Sequence, residues 1–306
     1  MTDPAKDLTD QARELRRMVD LHRRPARSLS GLRSLAVLSG KGGVGKSNIS
    51  VNLSLAMAER GKRVVLLDAD LGMANVDLLC GISPRYTLAH LVRGEKTVEE
   101  LLLPIGGSVL LLPGGPGVQG LADLDGPSLS LLIDRLSVLD GIADILIIDT
   151  GAGIHKNTLS FAVAADSTLL VTTPEPTAIR DAYGVLKSLA IATQSKIDVT
   201  LLVNMTASEG EGREVADRVR MAASQFLDLT VAYGGSLPVD SAVRKAVQMR
   251  APFLQAFPDS RASLAVGDMA DALLGIEERE KTLFSGRGIK SFFFRLARGL
   301  GLGKTS

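Results

Sequence analysis

The sequence predicts an α/β fold, a doubly wound and mostly parallel sheet of seven or eight strands with helices on both faces. Two observations predict it. Short apolar runs rich in Val, Ile and Leu recur from Leu35 to about Leu274, and their continuous hydrophobicity indicates strands buried on both faces. Segments with helical periodicity separate these runs, and such alternation gives parallel strands with right-handed crossovers.

Seven apolar runs are the predicted strands. Helical segments between them include 48–60, which Gly61 ends, and 127–139, which Gly141 ends. The uncharged stretch 101–122 is long enough to span a membrane, but its Pro and Gly residues break a helix and indicate a strand between turns. The seven runs are LAVLS from Leu35, RVVLLD from Arg63, SVLLLP from Ser108, DILIID from Asp144, STLLVTT from Ser167, VTLLVN from Val199 and LTVAYGG from Leu229.

Composition excludes several functional classes. The 306 residues carry a net charge of +1, which gives no overall attraction to nucleic acid, and we expect no specific nucleic-acid partner. The single cysteine, Cys80, forms no internal disulfide and cannot hold a metal cluster alone, so an iron–sulfur carrier is excluded. The charged N-terminus lacks an apolar core and predicts no secretory signal, so we expect a cytoplasmic protein.

The chain divides into four predicted segments. Residues 1–33 are highly charged with a weak apolar stripe of helical period, and residues 34–275 hold the alternating strands and helices. Residues 276–288 form a charged linker, and residues 289–306 form a tail that is rich in phenylalanine and contains no acidic residue.

The tail predicts an amphipathic helix. Lys290, Arg295 and Arg298 lie opposite an apolar face, and this pattern is typical of a helix that lies in a membrane interface. The alternative is a C-terminal helix docked on the protein's own core. The apolar face consists of Ile289, Phe292, Phe293, Leu296 and Leu300.

A phosphate-binding loop follows the first predicted strand. Gly40, four further residues, Gly45, Lys46 and Ser47 match the P-loop pattern, and a helix follows. The glycines let backbone N–H groups point at phosphate oxygens, Lys46 binds the β- and γ-phosphates, and the Ser47 hydroxyl ligates Mg²⁺. The predicted nucleotide-binding residues of this loop are Gly40, Lys41, Gly42, Gly43, Val44, Gly45, Lys46, Ser47 and Asn48.

Carboxylates end two of the predicted strands. Asp68 and Asp70 follow the second strand, and Asp149 ends the run ILIID. Because loops at the carboxyl ends of parallel strands converge on one crevice, these residues face the phosphates. Asp149 has the position of a Walker B residue that holds a Mg²⁺-bound water. Gly151 and Gly153, which come next, allow the backbone to approach the γ-phosphate.

The loop sequence KGGVGKS resembles the deviant Walker A motif of the MinD/ParA family of ATPases. The resemblance implies that Lys41 crosses a homodimer interface to the partner's ATP. It also implies that Asp70 positions the attacking water and that Asp68 reaches Mg²⁺ through water, so the implied metal residues are Ser47, Asp68 and Asp149. The family's adenine-binding positions match Asn204, Pro238 and Asp240.

A second motif resembles one branch of this family, the flagellar-number regulators FlhG, FleN and YlxH. These proteins carry an N-terminal DQAxxLR helix that stimulates the GTPase FlhF, and the segment DQARELRRMV matches it. The resemblance implies an ATP-dependent dimer at the inner face of the cell membrane that sets flagellar number and placement, with a basal-body component or a transcription factor as a further partner. The matching partner-binding residues are Asp10, Gln11, Leu15 and Arg16.

Two other classes compete with this interpretation. An ATPase of chromosome or plasmid partitioning, or of division-site placement, has the same core, and partitioning would need a basic surface for DNA. A metabolic P-loop enzyme would need a substrate pocket, which the sequence does not reveal.

Overall fold

A computed structural model describes residues 32–70, 75–115, 126–193, 197–280 and 288–300. Within these residues the chain forms eight strands: β1 (Arg33–Ser39), β2 (Val64–Ala69), β3 (Leu103–Gly106), β4 (Val109–Pro113), β5 (Ile145–Thr150), β6 (Ser167–Thr172), β7 (Val199–Thr206) and β8 (Val231–Pro238). They form one sheet in the order β3-β4-β2-β5-β1-β6-β7-β8, in which only the pair β3–β4 is antiparallel.

Helices cover both faces of this sheet. The helices of the described residues are α1 (Lys46–Glu59), α2 (Val76–Leu79), α3 (Leu88–Val92), α4 (Val98–Leu101), α5 (Gly126–Leu136), α6 (Leu139–Ile142), α7 (Lys156–Ala164), α8 (Pro176–Ala192), α9 (Glu209–Leu227), α10 (Ser241–Met249), α11 (Phe253–Ala256), α12 (Arg261–Glu280) and α13 (Gly288–Leu300). Residues of α1 and α10–α12 pack in the core of one face, and residues of α3–α9 and α13 pack in the core of the other.

The predicted fold class is confirmed, and each of the seven apolar runs contains a strand. Both faces of the central strands are buried, as continuous hydrophobicity requires. The eighth strand, β3, pairs with β4 in a hairpin at the sheet edge. The sequence indicated only one strand in this stretch, because Pro104 and Gly106 disguise a short edge strand as a turn.

Strand order places the loop after β1 at the centre of the sheet edge. β1 lies between β5 and β6, so the chain leaves it at the point where the strand order reverses. The loops after β2 and β5 end at the same edge. Asp68 on β2 and Asp149 on β5 are register partners on neighbouring strands. The sheet therefore brings both predicted metal carboxylates beside the P-loop.

The C-terminal helix α13 docks on the core. Of the predicted membrane-facing residues, Ile289 and Phe292 are 0% exposed and Leu300 is 8% exposed, while Phe293 and Leu296 are also buried. The Phe292 ring stacks on Phe161 of α7 at 6.4 Å. The structure therefore has the docked arrangement and not an exposed apolar face, because α5 and α7 supply an apolar groove that accepts the same side chains.

Two of the predicted boundaries differ from the structure. The predicted domain start is residue 34, but β1 begins at Arg33, and Leu32, two residues before the predicted start, is buried in the core at 2% exposure. The first five residues of the predicted linker 276–288 belong to α12, which ends at Glu280. Within the described residues no helix combines the length and hydrophobicity that a membrane span requires.

Docking of α13 predicts unequal effects for two neighbouring phenylalanines. Phe292→Ala removes a buried ring, so we expect it to lower the free energy of unfolding by about 3–5 kcal/mol. Phe294→Ala is the matched control, because Phe294 is 58% exposed on the same helix; its effect should stay within about 0.5 kcal/mol. Denaturant unfolding of both variants checks this, and equal losses would contradict the docked arrangement.

Candidate nucleotide-binding site

A cleft of 740 Å³ opens at the carboxyl edge of the sheet. The P-loop forms its floor, and its walls are formed by residues that follow β2 and β5, together with Met205 of β7 and Val247 of α10. It is large enough for a nucleotide. Its lining residues are Ser39, Lys41, Gly42, Gly43, Val44, Gly45, Lys46, Ser47, Asn48, Asp70, Asn75, Leu78, Leu79, Ala152, Met205 and Val247.

Two glycines give the P-loop its shape. Gly43 and Gly45 have φ angles of 80° and 87°, in the left-handed region that favours glycine. A Cβ atom on Gly45 would also lie 2.4 Å from Nδ2 of Asn204. That amide nitrogen donates a hydrogen bond of 2.8 Å to the Val44 carbonyl oxygen. Asn204, which is predicted to bind adenine, therefore holds the backbone of the P-loop through this hydrogen bond.

Gly40 has a packing role that the motif alone does not indicate. A Cβ atom there would lie 2.3 Å from the backbone carbonyl of Asp181 on α8. The first residue of the P-loop thus lies directly against a neighbouring helix, and any side chain would push the two apart.

Lys46 and Asp149 form a buried ion pair. The Lys46 Nζ atom lies 2.9 Å from Asp149 Oδ1, and their side chains are 7% and 1% exposed. Ser50 Oγ donates to the same oxygen at 2.9 Å. The second oxygen, Oδ2, is buried with no hydrogen-bond partner in the described part of the chain. A buried anionic oxygen without a partner fits a metal ion or its bound water.

Asp68 adds a second buried carboxylate. Burial, followed by the neighbouring charge of Asp149, raises the pKa of Asp68 to about 7, although the N–H groups of Asp70 and Val76 oppose the shift. Two adjacent buried carboxylates favour a cation, and oxygen ligands suit Mg²⁺. The described residues contain no cluster of three or more His, Cys, Asp or Glu able to hold a metal. The remaining ligands would therefore be Ser47, water and phosphate oxygens.

The segment after β5 lies against the segment after β2. A Cβ atom on Gly151 would be 3.4 Å from Asp70 Oδ1. The Gly153 N–H group donates to the Ser39 carbonyl oxygen at 2.9 Å, which ties the same segment to the start of the P-loop. Asp70 is thus placed at the wall of the cleft, where a carboxylate can orient water toward a terminal phosphate.

Lys41 is held within its own chain. Its Nζ atom lies 2.5 Å from Glu175 Oε2 and 3.3 Å from Thr177 Oγ1 of α8. The two side chains of the ion pair are 39% and 63% exposed, and exposed ion pairs contribute about 0–1 kcal/mol. Such a weak contact is easily exchanged for another. The transfer of Lys41 to a partner's ATP stays a prediction.

None of the three predicted adenine-binding residues, Asn204, Pro238 and Asp240, lines the cleft. The carboxylate of Asp240 accepts hydrogen bonds from Ala242 N and Ala262 N at 2.9 and 3.1 Å, and these lower its pKa. Asp240 therefore caps α10, and Pro238 ends β8 beside it. The predicted partner-binding residues Asp10, Gln11, Leu15 and Arg16 lie outside the described residues.

Sequence reasoning missed the apolar part of the cleft. Met205 lines it, is 44% exposed and has a φ of 59°, an unfavourable conformation for a residue other than glycine. Leu78 and Val247 also line it with exposed side chains. Their only sequence signal is their place beside predicted site loops.

The raised pKa of Asp68 predicts a pH dependence of stability. The folded chain holds this proton more tightly than the unfolded chain, so the stabilisation is complete below about pH 4 and is lost as pH rises through about 7. Without nucleotide and Mg²⁺, we expect the free energy of unfolding to fall between pH 5 and 8 by about 2–3 kcal/mol more than in Asp68→Asn. Asp77→Asn, on the next helix, is the control. Parallel pH profiles for the native chain and Asp68→Asn would contradict the buried carboxylate pair.

Comparison with known proteins identifies the family. A family model described as ParA, NUBPL iron-transfer P-loop NTPase, matches residues 32–108. The chain is 42% identical over 238 residues to the antiactivator FleN of Pseudomonas aeruginosa, covering 78% of this chain and 85% of that protein. It is 35% identical over 269 residues to the flagellum site-determining protein YlxH of Helicobacter pylori, covering 87% and 90%.

Solved structures agree with this similarity. The septum site-determining protein MinD of Pyrococcus horikoshii, solved in complex with Mg-ADP, superposes with a TM-score of 0.64 at 26% identity, covering 80% of this chain and 98% of that one. The chain therefore belongs to the MinD/ParA family of P-loop ATPases, in the branch that contains FleN and YlxH.

Proposed function

We propose that this protein is a Mg²⁺-dependent ATPase switch that regulates flagellar number and placement through an ATP-joined homodimer. The observation that carries the proposal is a cleft lined by the P-loop and Asp70. Lys46 of this lining pairs with Asp149, which neighbours Asp68 in the sheet. Relatives named for flagellar control support the process.

Each group of the cleft has a separate task in the ATPase reaction. The P-loop N–H groups bind the phosphates of ATP, and Lys46 leaves Asp149 to contact the β- and γ-phosphates. The residues that would hold Mg²⁺ are Ser47, through its hydroxyl, and Asp68 and Asp149, through water. Bound Mg²⁺ would offset charge on the phosphates. Asp70 orients the attacking water, and ADP and phosphate remain.

Exposed apolar side chains around the cleft support the homodimer. Leu78, Ile154 and Met205 are 54%, 54% and 44% exposed, and Val247 is 40% exposed. Exposed apolar residues that surround one opening mark a surface for another protein. A second copy placed over the cleft would bury them, and Lys41 would exchange Glu175 for the partner's phosphates.

Membrane association requires α13 to leave its groove, because its apolar residues are buried in the docked state. Lys290, Arg295 and Arg298 suit anionic lipid headgroups once the helix is free. A single helix with few charges binds weakly, whereas a dimer presents two and gains avidity. Binding at the inner face of the membrane would thus depend on ATP.

The N-terminal segment is the proposed contact for an FlhF-type GTPase. Its DQARELR motif carries this assignment, with a basal-body component or a transcription factor as a further partner.

A second candidate function is ParA-like partitioning or division-site placement, which the ParA family match favours. Gel shift with DNA compared with sedimentation on liposomes, both with ATP, separates the two.

Loss of the water-orienting carboxylate should trap the dimer. We expect Asp70→Ala to lower ATPase activity about 100-fold and to sediment as a dimer with ATP and Mg²⁺, bound to anionic liposomes. Lys46→Ala, which loses the phosphate contact, should remain a monomer in solution. The proposal fails if Asp70→Ala also stays a monomer with ATP and Mg²⁺.

The branch-specific partner has its own test. A peptide of residues 1–24 should raise the GTP hydrolysis rate of an FlhF-type GTPase, because it carries the predicted activator motif. The same peptide with Gln11 and Arg16 replaced by Ala is the control. Without stimulation by the native peptide, the partner assignment is withdrawn and the ATPase switch stands on the liposome result.

A further inference from the structure

Helices α7 and α13 bind each other through reciprocal contacts at their ends. Lys156 Nζ, at the start of α7, donates to the carbonyl oxygen of Leu300, the last residue of α13, at 2.7 Å. Arg295 Nε of α13 donates to the carbonyl oxygen of Ala164, the last residue of α7, also at 2.7 Å. Each helix therefore supplies a cation to the carbonyl end of the other, where a positive charge is favourable.

Lys156 is poorly placed for the helix on which it sits. It occupies the first position of α7, where the helix dipole disfavours a cation, and no acidic residue lies in that first turn. Its contact with Leu300 stabilises α13 rather than α7. The local sequence of α7 thus gives no reason for a lysine here, whereas the docked helix does.

Residues 151–155, whose glycines are predicted to approach the γ-phosphate of ATP, are called the phosphate-sensing segment. Gly151 lies against Asp70, and Gly153 is tied to the start of the P-loop. The ring of His155 lies near Gly153, with Nε2 3.5 Å from the position of an added Cβ atom. Residues 151–155 therefore connect the cleft wall directly to Lys156.

Close packing makes α13 sensitive to a shift of α7. A Cβ atom on Gly299 would lie 3.1 Å from Ser160 Oγ, so the two helices approach closely near the Lys156 end. At the other end, Arg295 also binds Asp166 at 3.1 Å. Movement of the first turn of α7 would first disturb the contacts of Gly299 and Leu300. The contacts of Arg295 with the last turn of α7 would stay in place.

We propose that Lys156 couples the phosphate-sensing segment 151–155 to the docking of α13. Nucleotide binding displaces the first turn of α7, Lys156 leaves the Leu300 carbonyl oxygen, and the helix detaches from its C-terminal end. This inference rests on the proposed function, since it explains how ATP would release the membrane helix. It assigns His155 and Lys156 a place in that pathway, although neither lines the cleft.

A second lysine provides a matched control. Lys290 Nζ contacts Asp134 Oδ1 of α5 at 2.7 Å and so holds the opposite end of α13. α5 lies outside the cleft lining, so this contact is not expected to respond to nucleotide. Lys156→Met and Lys290→Met each remove one cation that holds the same helix, but only the first removes the link to the cleft.

Amide hydrogen exchange of residues 288–300 in the full chain tests the coupling, with and without AMP-PNP and Mg²⁺. In the native chain we expect nucleotide to accelerate exchange. Lys156→Met should exchange about three- to tenfold faster already without nucleotide, as loss of one such hydrogen bond predicts, and should show little further acceleration with it. Lys290→Met should keep the acceleration. Unchanged nucleotide affinity would show that Lys156→Met is folded.

Two results would overturn the inference, and they differ in what else they affect. If Lys156→Met keeps the full acceleration by nucleotide, the coupling through Lys156 is wrong and ATP-dependent release survives by another route. If the native chain shows no acceleration, nucleotide-controlled release is wrong as well, and the membrane part of the proposed function falls with it.

Discussion

The ion pair between Lys46 and Asp149 is the constraint on which the site depends. It joins the P-loop helix to the tip of a central strand inside the protein, where removal of either charge would leave the other unpaired. In the proposed function, Lys46 would contact the phosphates of ATP and Asp149 would hold a water bound to Mg²⁺. Because one oxygen of Asp149 has no hydrogen-bond partner among the described residues and Asp68 lies beside it, the site is electrostatically incomplete without a cation. This incompleteness favours the nucleotide complex.

A short chain segment and the packing of one helix on another connect the cleft with the C-terminal helix. Strand β5 carries Asp149 near its carboxyl end. The segment that follows contributes to the cleft wall, and the next helix, α7, packs against α13. At the P-loop, an exposed ion pair with Glu175 holds Lys41, the cation that the proposed dimer would place at the partner's ATP. Weak exposed contacts suit positions that change partners, and buried contacts suit positions that do not.

Much of the fold and the phosphate end of the site could be predicted from the sequence. Continuous hydrophobicity predicts the buried strands, and the glycine spacing around Lys46 predicts the P-loop. The edge strand β3 was not predicted, because Pro104 and Gly106 are residue types typical of turns. The capping role of Asp240 could not be predicted, because a helix cap and a ligand-binding residue use the same carboxylate and only three-dimensional contacts distinguish them.

The C-terminal helix shows the limit of sequence reasoning most clearly. An apolar face with basic residues behind it is satisfied equally by lipid or by a protein groove, since both remove the same side chains from water. The packing of Gly40 against α8 and the place of Met205 in the cleft lining could not be predicted, because both depend on segments distant in the sequence.

Burial of α13 bears on how this protein tolerates shortening. A chain ended before residue 288 would lack the side chains that cover Phe161 and its apolar neighbours on α5, so a trench in the core would face water. Deletion of α13 would therefore make the remaining protein more prone to self-association. For this reason, loss of membrane binding in such a truncated chain would not by itself identify the residues that contact lipid.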